Sequence, residues 1–182
     1  MTIIDKLKYR ILNRTIRQFI AEKNGCRMPD IAKLSSMIII LDDMDKEMVR
    51  VIQDRIKTLF GITMTRFVII TDKASDNVLL SDHYCEVTTK DFGFMKVLKA
   101  EKQEELRKLP MSHLIVNMSK KHIGIADYIA ILPHANFRIS FNKSDYYQLY
   151  DLIIDSGDNT DPINDVQALY VYLKALTGGG GV

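Results

Sequence analysis

Apolar residues in the N-terminal segment recur at Ile4, Leu7, Ile11, Leu12, Ile16, Phe19 and Ile20. That 3.6-residue period predicts an amphipathic helix. Lys6, Arg10, Arg14, Arg17 and Lys23 fall largely off the stripe, and Asn24-Gly25 supplies a stop signal. The pattern then changes character. Residues 37–41, Met-Ile-Ile-Ile-Leu, form a short unbroken apolar run, which predicts a strand buried on both faces. Asp45 follows as a helix N-cap, and Val49, Ile52, Ile56, Leu59 and Phe60 make a helical stripe that Gly61 ends. Residues 66–71 read as a second buried strand. Strand, helix and strand make a parallel β-α-β unit.

The same alternation returns in the second half of the chain. Residues 113–118 predict a third strand, 125–132 a short helix ending near Pro133, and 137–141 a further strand. Between the halves, residues 84–88 suit a strand, and Ala100–Leu109 is helix-prone up to Pro110. Phe92, Phe94 and Val97 suit either a short extended piece or a loop, and residues 72–82 read as loop, with a short turn near 77–80. The Leu152-Ile153-Ile154 run is too short for its period to separate strand from helix. Pro162 suits the first turn of a last helix, whose stripe is Val166, Leu169, Tyr170, Leu173 and Leu176. Four consecutive glycines, 178–181, predict a flexible tail. The expected fold is α/β: one three-layer Rossmann-like domain with a mostly parallel sheet, preceded by the amphipathic helix. The boundaries are 1–35 for the helical extension, 36–177 for the domain and 178–182 for the tail.

Charge sharpens one part of this picture. The 182 residues carry a net charge of only +2, yet residues 1–35 hold 8 Lys/Arg against 3 Asp/Glu. Basic character is therefore local to the first helix. No basic face runs over the whole domain, so no nucleic-acid partner is expected. The two cysteines form no Cys-x-x-Cys pair. With no apolar leader and no run near the roughly 18 residues of a spanning helix, the expected location is cytoplasmic.

Candidate chemistry gathers after the predicted strands. A phosphate-binding turn after the first strand would need closely spaced glycines, and the chain instead reads Asp42-Asp43-Met44-Asp45. Three carboxylates there repel phosphate. They offer oxygens to Mg²⁺, but strand exit plus helix cap explains the same residues, and no metal site is expected. The four histidines and two cysteines show no zinc spacing. Asp91-Phe92-Gly93 matches the kinase magnesium triplet by letters alone, since the Gly-rich and catalytic loops are missing. No Gly-x-Ser-x-Gly elbow is present.

After the third strand come Asn117, Ser119, Lys120, Lys121 and His122. Loops after parallel strands are where α/β sites collect. The candidate catalytic residues are accordingly Asp42 or Asp43, as base or metal ligand, and His122, as acid–base. Asn117 and Ser119 are the candidate cofactor-contacting residues. The competing account of His122 is a solvent-facing loop histidine beside two lysines. Asp127 is either a partner for this group or a solvent-facing helix residue. Arg138 and Tyr146-Tyr147 are placed along the same sheet edge.

The runs His113-Leu-Ile-Val-Asn-Met-Ser119, Tyr128-Ile-Ala-Ile-Leu132, Ala135-Asn-Phe-Arg-Ile-Ser140 and Tyr150-Asp-Leu-Ile-Ile-Asp155 resemble a small uncharacterised family of Bacteroidota proteins. More weakly, residues 113–141 resemble the N-terminal Rossmann-like half of heptosyltransferase-type glycosyltransferases. There an Ala-x-x-Arg-(Ile/Val)-Gly strand is matched by Ala135, Arg138 and Ile139, with Ser140 replacing the glycine. The second resemblance implies a lone half-fold. Those transferases bind the donor in a second Rossmann domain, for which 182 residues leave no room.

Two functional classes follow. The first is a non-catalytic binding or assembly protein acting through its N-terminal helix, with no cofactor. That helix would dock on its own sheet, on a second copy in a homodimer or another protein partner, or peripherally on an anionic membrane through Lys6, Lys8, Arg10, Arg14 and Arg17. The alternative is an enzyme or a nucleotide- or sugar-ligand binder with its site at the carboxyl edge of the sheet.

Overall fold

The chain's apolar runs become strands because both of their faces are covered. The computed structural model describes residues 3–23, 28–72, 83–93, 97–155, 157 and 161–178, with backbone alone for 3–11. Six strands are described: β1 Ser36–Asp42, β2 Met64–Thr71, β3 Tyr84–Thr88, β4 Ser112–Asn117, β5 Ala135–Ser140 and β6 Leu152–Ile153. Five α-helices accompany them: α1 Ile3–Glu22, α2 Lys46–Phe60, α3 Ala100–Arg107, α4 Ile123–Ala130 and α5 Pro162–Leu176. The sheet order is β3-β2-β1-β4-β5-β6, and every pair of neighbours is parallel. This is the strand order of a doubly wound Rossmann sheet.

Side chains alternate across a strand, so β1 feeds two cores. Met37, Ile39 and Leu41 face a layer made by Val49, Ile52 and Ile56 of α2 and Val166, Leu169 and Leu173 of α5. Ile38 and Ile40 face the other layer, with Leu106 of α3, Ala126 and Ile129 of α4, and Ile16 of α1. Each Val, Leu, Ile or Met side chain among them contributes about 1.5–3 kcal/mol through burial. The second half of the α1 stripe is part of this core: Ile16 is fully buried, and Leu12, Phe19 and Ile20 pack around it. Arg14 and Arg17 point outward.

Local signals end the elements where expected. The Asp45 carboxylate accepts from Met48 N at 2.7 Å and caps α2, and Gly61 ends that helix at φ 69°. Pro162 occupies the first turn of α5 behind the Asp161 cap. The undecided segment after Tyr150 is extended, because β5 offers it a free edge: Ile139 and Ser140 pair with Leu152 and Ile153. Phe92 and Leu98 form an antiparallel bridge, and Phe94 lies outside the described residues. The expected Asn24-Gly25 stop, the turn near 77–80 and the glycines beyond 178 lie outside the described residues. No described helix is long and apolar enough to cross a membrane.

Candidate functional site

β1 and β4 lie side by side, yet the chain leaves them in opposite directions. From β1 it passes through α2 to β2, and from β4 through α4 to β5. In doubly wound sheets such a divergence leaves a crevice outside the carboxyl ends of the two strands. Asp42 and Asn117 are the last residues of those strands, so the fold delivers both to the crevice floor.

The Asp42 carboxylate is occupied. Its Oδ1 accepts from Ser119 Oγ at 2.6 Å, and its Oδ2 accepts from the amides of Lys120 and Lys121 at 2.5 and 2.7 Å. A carboxylate receiving several backbone N–H groups is a strong anchor. It ties the β4–α4 loop to the end of β1. Asn117 Oδ1 accepts from Ser119 N at 3.0 Å, Asn142 Nδ2 donates to Ser119 O, and Ser119 Oγ accepts from His122 N at 3.3 Å. The hydroxyl of Ser119 thus orients the residue that caps α4, His122.

Asp43, one residue further, turns outward into the crevice. Asp72, just beyond β2, and His122 join it: one carboxylate oxygen from each aspartate and one imidazole nitrogen all lie within 4.8 Å of one another. The Thr71 side chain donates to Asp43 and, against the opposing effect of partial burial and together with the Lys121 ammonium, holds its carboxyl below the usual range. Lys121 Nζ stands 3.5 Å from Asp43 Oδ2 as an exposed ion pair. His122 is half-buried, and its Nε2 is buried without a hydrogen-bond partner.

Beneath this rim lies a second polar group. Asp127 is 1% exposed, although helix position alone leaves a solvent-facing orientation open. Its Oδ1 accepts from Tyr150 OH at 2.6 Å and its Oδ2 from Ser144 Oγ at 2.5 Å. Asn117 Nδ2 donates to Tyr150 OH at 2.7 Å, which connects the buried group to the crevice floor. Burial pushes the Asp127 carboxyl above its usual pKa, with the Ser144 and Tyr150 hydroxyls opposing. Burial, followed by the neighbouring Asp127 charge, drives the Tyr150 phenol up as well.

The five sequence candidates therefore divide by role. Asp42, Asn117 and Ser119 are knitted into the frame, while Asp43 and His122 face each other across the opening. Asp45 is spent on the α2 cap. In the sequence Asp72 is only the start of a polar loop, yet it carries a signal: it leaves the carboxyl end of the strand that pairs with β1. Ser144 and Tyr150 carry no such signal, because they reach Asp127 across 17 and 23 residues. Arg138 does not reach this edge. Its guanidinium donates to the carbonyls of Ala130, Pro133 and Ala135 toward the start of β5 and stacks on Phe19. A cavity of about 260 Å³ lies there, between Phe19, Lys23, Met111 and Arg138. Lys23 is already paired with Asp151 at 2.6 Å, so the cavity offers no comparable convergence of groups.

The chain has no significant match to a curated protein or to a solved structure. The family of unknown function DUF6913 matches residues 8–176, and the chain belongs to that family.

Proposed function

We propose that this chain is a small-molecule-binding α/β domain whose site is the carboxyl-edge crevice between β1 and β4, and that its ligand is a polar metabolite of the nucleotide or sugar class. The observation that carries the reading is the convergence of Asp43, Asp72 and His122 within 4.8 Å at the point where the strand order reverses. Doubly wound sheets bind ligands at that point. Side chains from three separate strand ends meet there, two of them charged, beside a third charge on Lys121. In an enzymatic version, His122 moves a proton and Asp43 serves as its carboxylate partner through one bridging water, for which a separation within 4.8 Å leaves room. The weaker likeness of residues 113–141 to a glycosyltransferase half-domain leans the ligand toward a sugar or nucleotide-sugar, on fold-level analogy alone. The two scattered cysteines fit a cytoplasmic setting.

The assembly reading has less support. The apolar stripe of α1 over residues 12–20 packs into the chain's own core, so that part of the helix needs no partner to cover it.

The test is a thermal-shift and calorimetric screen of nucleotides, sugar phosphates and nucleotide-sugars, with and without Mg²⁺. A ligand is expected to raise the melting temperature of the full chain, and Asp43→Asn and His122→Ala are expected to remove the shift without unfolding the protein. A screen that yields no shift, or a shift unchanged by both substitutions, sinks the proposal.

A further inference from the structure

Resting on that reading of the crevice, we infer that Asp43, Asp72 and His122 are the protein ligands of a divalent cation of the Mn²⁺ or Zn²⁺ type. The donor set is two carboxylates and one imidazole. Carboxylates alone suit Mg²⁺ and Ca²⁺, whereas an imidazole added to them favours Zn²⁺, Mn²⁺ or Fe²⁺.

The spacing fits with a small closure. Ligand atoms about 2.1 Å from a metal stand about 3 Å apart when adjacent and about 4.2 Å apart when opposite. The three donor atoms lie within 4.8 Å, and the two aspartates are exposed, so a rotation of their side chains brings them into range. The backbone beneath them is held in register. Asp43 N donates to Ile70 O at 2.9 Å, and Asp42 pins the loop that carries His122.

A second observation is independent of the two carboxylates. His122 Nε2 is buried without a hydrogen-bond partner. A buried polar atom left unpaired costs about 1–3 kcal/mol, and coordination through that nitrogen removes the cost. The Thr71 hydroxyl beside Asp43 supplies the kind of outer-shell bond that orients a ligating carboxylate. Lys121 occupies the cation position electrostatically. Its ammonium stands 3.5 Å from Asp43 and is 67% exposed, so it is free to swing away when a metal enters. Three protein ligands leave coordination positions open. That is the arrangement of a site that presents its metal to an oxygen of a bound molecule, in contrast to a closed structural site.

The probe is the metal alone. Mn²⁺ titrated into the full-length chain, followed by electron paramagnetic resonance, is expected to show one bound ion per chain below about 1 mM. Zn²⁺ is expected to compete with it. Asp72→Asn and His122→Gln should each weaken binding by about tenfold or more. Lys121→Ala should tighten it, because the competing ammonium is gone. All three side chains are at least partly exposed, and circular dichroism will show whether each variant remains folded. Absence of a bound ion, or binding that neither Asp72→Asn nor His122→Gln weakens, overturns the inference. The two readings fail separately. A nucleotide or sugar that binds equally well in EDTA, with no Mn²⁺ site found, removes the metal and leaves the ligand site. An Mn²⁺ site sensitive to both substitutions supports the metal even where the ligand screen is blank.

Discussion

Tyr150 holds two buried polar groups at once. Its hydroxyl donates to Asp127 Oδ1 and accepts from Asn117 Nδ2. Tyr150→Phe removes both bonds and leaves only the long 3.5 Å contact from Asn117 Nδ2 to Asp127 Oδ1 in their place, and a poorly satisfied buried donor or acceptor costs about 1–3 kcal/mol. Urea denaturation should show that loss, and a midpoint equal to that of the native protein would contradict the network. Asp127 adds a pH signature. Its folded pKa is raised above 3.8, so the folded chain keeps a proton that the unfolded chain has already released. Stability from this group is therefore highest below 3.8 and falls as pH rises through the folded pKa. Asp127→Asn should flatten the decline over that window, read as the difference in slope of unfolding free energy against pH. Identical slopes would show that the buried carboxyl is not perturbed. Cys85 offers a contrasting case. Burial pushes its thiol up to about 12, with Lys102 opposing, and its Sγ donates to Glu105 Oε1. It should react with aromatic disulfide reagents far more slowly in the folded chain than in urea.

Helix α1 was legible as an amphipathic helix from seven apolar positions, but its destination was not. A stripe shows that a face needs cover and leaves open which surface supplies it. The structure covers the stripe over residues 12–20 with the chain's own core: α1 lies against α4 and the turn at Tyr147–Leu149, and Ile16 belongs to the buried cluster that includes Ile38, Ile40 and Ile129. Ile16→Ala should cost about 2–5 kcal/mol, the usual range for removing a buried aliphatic side chain. A cost below about 0.5 kcal/mol, as for a surface position, would detach the helix from the core. The strands divide in the same way. β1 could be read because its run is buried on both faces and has no competing period. β6 could not be read, since two residues carry no period and their extension is imposed by β5. The candidate site was half legible for a related reason. Asp42, Asp43, Asn117, Ser119 and His122 follow recognisable strands, so their edge could be deduced. Which of them is tied down depends on amides from the facing loop, and Asp72 becomes relevant only when β2 is known to lie beside β1.

The whole molecule joins these pieces at one place. The crevice rim is built from the ends of β1 and β2 and from the loop after β4, and each also belongs to the central sheet. A cation held by Asp43, Asp72 and His122 would therefore tie together three segments that are far apart in sequence. Because the unfolded chain scatters those ligands, the metal would bind the folded state preferentially and stabilise it by mass action. At about 100 times its dissociation constant the gain is about 2.7 kcal/mol, provided the unfolded chain binds negligibly. For a chain of this size, 1 kcal/mol raises the melting temperature by about 2–4 °C, so the expected rise is about 5–11 °C. The rise should grow with the logarithm of free Mn²⁺, vanish in excess EDTA, and be absent from His122→Gln. Tyr150→Phe should keep the metal-dependent increment while starting from a lower melting temperature, because its loss lies in the buried network below the rim. If Mn²⁺ instead raised the melting temperature of His122→Gln as much as that of the native chain, the stabilising ion would be bound elsewhere on the protein.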